Sequence, residues 1–511
     1  MLGPTIKEYT NLLKQNKLIF LVYFVVVSVL FLSMLSPKNI ANPDFEIKSF
    51  IFIVIAGLFL ILYGFKNKDS LHKVSFAVVM FIGLLIAFMA PAFSLHDEAI
   101  HLNRVTNILD GFLYPQPSVD RAYISFFNNL LFHMKELYAG SNLGINNLLL
   151  NNSYALIPIS QAPSAVIHGI TNSPFYTYLP SVLGVFIAKS LNLSVIYAVW
   201  FSRIPSLIIY AIITSYAIKR APCYKMPLFL VTCTPLATTV MASSNYDWFI
   251  FAFFILLMAE FIYMYKNGAL KKNILIFFIC CLLIGLVKPP YLFFAFLILF
   301  IPKNKFNFSY PRLKLVILCI LLGIISLFIL KNLSTFLFHG ASLALSSKAT
   351  SPIDNIYYLI QHPRVALHIA KNSILFIGDR FILTNYFYHL PFVGEFKGTK
   401  VFNILYFVFF IAFSILYPIK IKFSRNKKLA LALFSFIFYV GLFYILYASW
   451  NAPEAYHIIY NQPRYYVPLF LLMPIIFNYP FKKIKKIDYW TIMGVIVFVI
   501  GIFLFTVTHF Y

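Results

Sequence analysis

Carboxylates are scarce in this chain: 16 Asp and Glu in 511 residues, against 41 Lys and Arg. Charged residues of all kinds make up 11% of it. Soluble domains run at about 25%, so an ordinary soluble fold is excluded. Cysteine is nearly as rare. The five, at 223, 233, 280, 281 and 319, fall in apolar segments or short basic loops, which excludes an external disulfide framework. A P-loop, the glycine pattern of a dinucleotide fold, zinc-ligand spacing and a nucleophile elbow are all missing. Chemistry driven directly by ATP or a nucleotide sugar is therefore not expected.

What the chain has instead is apolar sequence, 61% of residues, with a mean hydropathy of +0.83. A bilayer-crossing helix needs roughly 20 such residues. Thirteen runs qualify, at about 17–36, 49–65, 74–94, 196–218, 226–243, 247–265, 273–287, 290–302, 313–330, 401–419, 429–447, 465–480 and 489–508. The expected fold is an all-α polytopic membrane protein of about 13 transmembrane helices. The first run is long and lacks a small-residue cleavage site, so it reads as an uncleaved anchor.

The net charge of +25 orients the protein. With the N-terminus inside, every second connection is cytoplasmic: "KNKDSLHK", "KRAPCYK", "KNGALKK", "KNKFNFSYPRLK", "KIKFSRNKK" and "KKIKK". With Lys7, Lys14 and Lys17 these hold 25 of the 41 basic residues, the positive-inside pattern. No nucleic-acid partner is needed to explain the charge. The acids do the reverse. Only Glu8, Asp69 and Asp488 lie in cytoplasmic segments and Glu260 in an inner half-span, leaving 12 of the 16 toward the outer face, with ten of the 11 His.

Two outer segments, about 95–195 and 331–400, are too long to be connectors and are expected to be functional or structured. In the first, "SPFYTYLPSVLGVFIAKSLNLS" reads as a helix lying at the outer interface, because a crossing there would break the charge alternation. "NILIFFICCLLIGLVKPPYLFFAFLILFIP" has basic flanks on both sides, so two half-crossings meeting at "VKPPY" suit it better than one span. Lys288 would then be recessed and in need of a partner. Residues 1–73 form a two-span anchor, 74–480 the core with both loops, and 481–511 a C-terminal span.

The first outer loop opens with "AFSLHDEAIHLNRV", two of the rare acids side by side where an apolar run ends. On a helix starting near 95, Asp97, His101 and Arg104 share one face and Glu98 lies within i+3 of His101. Ser94 and Asp97 resemble a capping box, with Gly111 where a stop is expected. Such a group suits a base that deprotonates an acceptor hydroxyl. Capping by Asp97 with solvated neighbours, or a divalent metal held by Asp97, Glu98 and His101, are the other readings. Elsewhere, "ASSNYDWF" places Asp247 at an outer helix end. "WNAPEAYHIIYNQPRYYVP" carries Glu454, His457 and Arg464 where a span re-enters, and Arg464 could grip a phosphate or anchor at the interface. "IGDRF" and "FVGEFKG" read as local ion pairs. A site facing away from the nucleotide pool must use a donor already across the membrane, and a polyprenyl-phosphate-linked sugar fits.

"HDEAIHLNRVTNILDGFLYPQ", "YLPSVLGVFIAKSLNLSVIYAVWFSRIPSLIIYAI", "SNYDWFIFAFFILL", "KPPYLF", "FVGEFKG" and "QPRYYVPL", in that order over most of residues 74–480, resemble the bacterial domain-of-unknown-function 2142 family. That family resembles the GT-C superfamily of integral-membrane glycosyltransferases. The chain reads Leu-His-Asp-Glu where the family usually has Pro-Pro-Asp-Glu, and Gln-Pro-Arg-Tyr where it has Gln-Gly-Arg-Tyr. The resemblance implies a catalytic acid in a large first outer loop over juxtamembrane helices, a lipid-phosphate-linked sugar donor and inversion at the anomeric carbon. It implies Asp97 as general base with Glu98 as partner or alternate, and His101 orienting base or acceptor. Donor-binding roles fall to Lys288 and Arg464, with Arg104, Asp247 and His457 as further substrate-binding candidates.

The expectation is a GT-C-like inverting glycosyltransferase with its active site on the outer face of the cytoplasmic membrane. It would move a sugar from a polyprenyl-phosphate-type carrier to a cell-envelope glycopolymer or glycolipid among membrane lipids, with no certain cofactor. The alternatives are a polymerase of lipid-linked polysaccharide repeat units, a lipid-linked glycan transporter or flippase, and a non-catalytic assembly partner.

Overall fold

A computed structural model describes residues 2–35, 43–95, 97–113, 122–125, 153–162, 165–168, 173–338, 352–382, 399–450, 462–479 and 484–511, with Phe127, Leu130 and Met134. These residues are helical save for turns, loops and one antiparallel ribbon, Ala122–Ser125 against Ala165–His168, with Ala122 opposite His168. The ribbon lies in the first long loop and was not foreseen.

Eight helices among the described residues are long and apolar enough to cross a membrane: Lys17–Met34, Pro43–Lys66, Lys68–Met89, Val195–Arg220, Asp247–Asn267, Pro311–Ile329, Arg425–Ala448 and Ile487–Phe510. They show stripes of large apolar side chains, such as Leu32, Phe59 and Phe328, that no other part of the protein covers. That is the surface expected against lipid. Ile487–Phe510 is the exception: its apolar window is 100% buried, against 39% for its neighbour Lys17–Met34. It forms the centre of a bundle with Lys17–Met34 and Pro43–Lys66.

The other five of the thirteen expected segments are shorter or interrupted, and proline explains most of it. Proline lacks an N–H and disfavours helical backbone in the residue before it. Pro235 splits 226–243 into Lys225–Thr232 and Pro235–Met241, and the second piece is capped by Thr234, whose Oγ1 accepts from Ala237 N at 3.1 Å. In place of 465–480 stand three short pieces, Pro463–Tyr466, Val467–Phe470 and Met473–Phe477, each with a proline in its first two positions. Lys271–Val287 ends at Lys288, and after Pro289 and Pro290 the chain continues as a tighter 3-10 helix to Phe300. A fifth, Thr399–Leu416, is helical but has only a short apolar stretch.

Leu179–Ser190 is a separate short helix, as its sequence suggested. It lies directly on Val195–Arg220: a Cβ at Gly184 would sit 1.8 Å from the Phe201 carbonyl oxygen, so only glycine fits. Val195–Arg220 also packs along Leu71–Met89 and Asp247–Asn267. Where these helices meet, the interior turns polar.

Candidate functional site

The site begins where the helix Leu71–Met89 stops. Ala90 precedes Pro91 and is extended, and two left-handed residues follow, Phe93 (φ 65°) and Asp97 (φ 51°). Non-glycine residues in that region cost about 1–3 kcal/mol each, so surrounding contacts must hold the turn. Arg203, fully buried on Val195–Arg220, is the holder. Its Nε and Nη2 donate to the two Glu98 carboxylate oxygens at 2.7 and 2.6 Å. Its Nη1 donates to the carbonyls of Ala87 and Ala90, both at 2.7 Å, and Nη2 also donates to that of Pro91 at 3.1 Å. All five guanidinium N–H groups are thereby used. Glu98 in turn accepts from Phe93 N at 2.9 Å, closing the turn on itself. Both Glu98 carboxylate oxygens are thereby engaged by Arg203.

Asp97 does not cap the helix Glu98–Leu109 with its side chain. It reaches across the fold: its Oδ2 lies 2.5 Å from Arg464 Nη2, between residues 367 positions apart. Arg464 Nε makes a second ion pair with Asp247 Oδ2 at 2.8 Å, without hydrogen-bond alignment. Asp247 Oδ1 accepts from Lys288 Nζ at 2.6 Å. The four groups form a line of alternating charge, Asp97, Arg464, Asp247, Lys288, two of each sign.

Local sequence places each member. Asp247 is the first residue of its helix, where the helix dipole favours a carboxylate. Its backbone N–H donates to Asn245 Oδ1 at 2.8 Å, an Asx turn that fixes the start. Lys288 is presented by the break before Pro289, and its ammonium lies 4.2 Å from the Tyr465 ring centre and 5.1 Å from that of Tyr246. Arg464 sits on the short turn Pro463–Tyr466, which Tyr291 pins by donating to the Tyr465 carbonyl at 2.9 Å.

Burial grades the four. The side chains of Asp247 and Arg464 are 2% and 6% exposed, Lys288 18%, and Asp97 28%. Asp97 is the member at the mouth. Among the described residues Arg464 Nη1 is buried with no hydrogen-bond partner.

His101 lies beside this line. Its Nδ1 is 2.7 Å from the Tyr178 hydroxyl, and the rings of Tyr178 and Tyr246 flank it. Burial pushes its pKa down to about 4, against the opposing pull of the Asp97 charge, so the imidazole is neutral near pH 7.

One expected member falls elsewhere. Arg104 is fully buried and turns toward its own helix end. It donates to Asn107 Oδ1 at 2.7 Å and to the carbonyls of Phe112 and Leu113, holding the chain where it leaves the helix at Gly111. His457 lies outside the described residues, as do His96 and Glu454. The metal reading required Asp97, Glu98 and His101 to converge. Glu98 is committed to Arg203 and His101 to Tyr178, and among the described residues no group of three or more His, Cys, Asp or Glu could hold an ion.

Sequence reasoning missed Arg203, the tyrosines at 178, 246 and 465, and the Arg464–Asp247 pairing. Arg203 did leave a signal, as a lone charge inside an apolar run, which in a membrane segment demands a partner.

No curated protein and no solved structure matches this chain. A family model described as "Predicted membrane protein (DUF2142)" matches residues 80–473, a stretch that takes in Asp97, Arg203, Asp247, Lys288 and Arg464. The chain is a member of that family of membrane proteins.

Proposed function

We propose that this protein is a membrane glycosyltransferase that uses a polyprenyl-phosphate-linked sugar on the outer face of the cytoplasmic membrane. The observation that carries the reading is the pairing of Asp97 at the mouth with Arg464, backed by Asp247 and Lys288. A carboxylate with partial access to solvent is placed to take a proton from an acceptor hydroxyl. Buried cations beside it are placed to receive a leaving phosphate. In the reaction, Asp97 accepts the hydroxyl proton as the acceptor oxygen bonds to the anomeric carbon. The bond from that carbon to the phosphate oxygen breaks, and its electron pair leaves with the lipid phosphate. Neutral His101, bonded to Tyr178, lies buried beside the charged line.

Supporting the sidedness is the sequence itself, since the basic loops belong to the cytoplasm and the acidic residues to the other face. A thirteen-crossing layout, with the broken segments counted as crossings, keeps that alternation. Purified protein given a polyprenyl-phosphate sugar and an envelope-glycan acceptor is expected to transfer single residues, and to ignore nucleotide sugars. Long chains from lipid-diphosphate repeat units would mark a polymerase.

A second reading, transport of a lipid-linked glycan, draws on one observation. Asp247–Asn267 carries an ion pair toward each end, Asp247 with Lys288 and, farther along, buried Glu260 with Arg220 at 2.9 Å and Asn273 at 2.8 Å. Paired ionisable groups within membrane segments also mark substrate and ion pathways in transporters. Transport of the lipid-linked glycan in proteoliposomes without sugar transfer would favour it.

A further inference from the structure

The three guanidinium nitrogens of Arg464 are not equivalent. Nη2 is taken by Asp97 at 2.5 Å, Nε faces Asp247 at 2.8 Å, and Nη1 has no partner among the described residues although the side chain is only 6% exposed. A buried guanidinium N–H without an acceptor is costly, so Nη1 is a foothold for an anionic oxygen. A phosphate grips arginine best through two parallel N–H···O bonds. The pair that includes Nη1 is Nη1 with Nη2, and Nη2 is the atom that holds Asp97.

Charge points the same way. Asp97, Asp247, Arg464 and Lys288 sum to zero, so an added phosphate leaves the buried cluster negative unless a carboxylate withdraws. Asp247 cannot withdraw, being 2% exposed and bonded to Lys288 at 2.6 Å. Asp97 can: it is 28% exposed and stands at the end of a turn just outside its helix.

We propose that Asp97 and the phosphate group of the donor compete for Arg464, so that donor arrival displaces Asp97 and frees it to act on the acceptor. This rests on the glycosyltransferase reading and deepens it. The same carboxylate is restrained by Arg464 until a donor is seated and is released beside the acceptor afterwards. Proton abstraction is thereby tied to donor occupancy.

The test is a binding titration of the full-length protein in detergent with farnesyl phosphate, with farnesol and inorganic phosphate in parallel. Removing a competitor strengthens binding, so Asp97→Asn and Asp97→Ala are each expected to bind farnesyl phosphate about tenfold or more tightly than the wild type. Arg464→Gln should abolish the gain. Farnesol should bind all forms alike. Inorganic phosphate following the same order would assign the site to the phosphate alone, and its failure would assign it to the lipid-linked phosphate; either agrees with competition. Equal or weaker farnesyl phosphate binding by both Asp97 variants, with melting temperatures near that of the wild type, would overturn competition while leaving the glycosyltransferase reading standing. If one variant fails to fold, the other decides. If neither wild type nor variants bind farnesyl phosphate, the donor reading falls together with the exchange.

Discussion

Arg203 and Glu98 form a fully buried ion pair, 2.6 Å between Nη2 and Oε2, that binds the end of one membrane helix to the start of the next polar one. Asp97 sits immediately before Glu98, so the pair fixes the backbone from which the mouth carboxylate projects. A buried pair of this kind contributes little over an apolar substitute, but losing one partner strands a charge.

Arg203→Ala and Glu98→Ala should therefore each destabilise the protein by about 3–5 kcal/mol. The double variant should lose less than the sum of the two. Thermal unfolding in detergent measures this, and single-variant changes within about 0.5 kcal/mol, the range of a surface substitution, would show that the clamp is not needed.

Asp247 and Lys288 should behave as a coupled pair in the same way. Asp247→Asn or Lys288→Met alone leaves the opposite charge buried, whereas the two together remove both. A double-mutant cycle should return a coupling of about 1–3 kcal/mol. Strict additivity would mean that the two groups do not interact.

His101 makes the protein sensitive to acid. Its folded pKa of about 4 lies below the ordinary 6.5, so the unfolded chain binds the proton more readily. The His101 contribution to stability is complete above the ordinary value, falls as the pH drops from 6.5 toward 4, and levels off below that. The full span is about 3 kcal/mol. Unfolding measured at steps between pH 7.5 and about pH 4 should show this slope in the wild type and a shallower one in His101→Gln. Equal slopes would remove His101 as the cause.

Sidedness is open to labelling, because all five native cysteines are buried. A cysteine at Leu113, an exposed position just past the Glu98 helix, should react with an impermeant maleimide on intact cells. One at Tyr310, exposed in a basic loop, should react only after lysis. The reverse pattern would put the site on the nucleotide side and exclude a lipid-phosphate donor presented outside.

Much of the site was legible because its residues break the apolar pattern. Asp97, Asp247, Lys288 and Arg464 each stood out as a charge at the end of an apolar run, and a recessed lysine beside two prolines implied a partner, either a lipid phosphate or a carboxylate. That Asp247 fills this place could not be read. The Asp97–Arg464 contact spans 367 positions, and helical periodicity carries no information across that distance. Periodicity also misled: placing Asp97, His101 and Arg104 on one face assumed a regular helix from about 95, whereas Asp97 is left-handed, the helix begins at Glu98, and Arg104 turns to its own helix end. Eight of the thirteen expected segments are unbroken long helices; hydropathy does not register the breaks at Pro235 and Pro289 in others.

The most direct test of the catalytic assignment is single-turnover sugar transfer from a polyprenyl-phosphate sugar by wild type and Asp97→Asn, with donor binding measured on the same samples. A general base typically contributes about 10²–10⁴ in rate. The variant is expected to slow by that factor while still binding donor; transfer at the wild-type rate would contradict a role for Asp97.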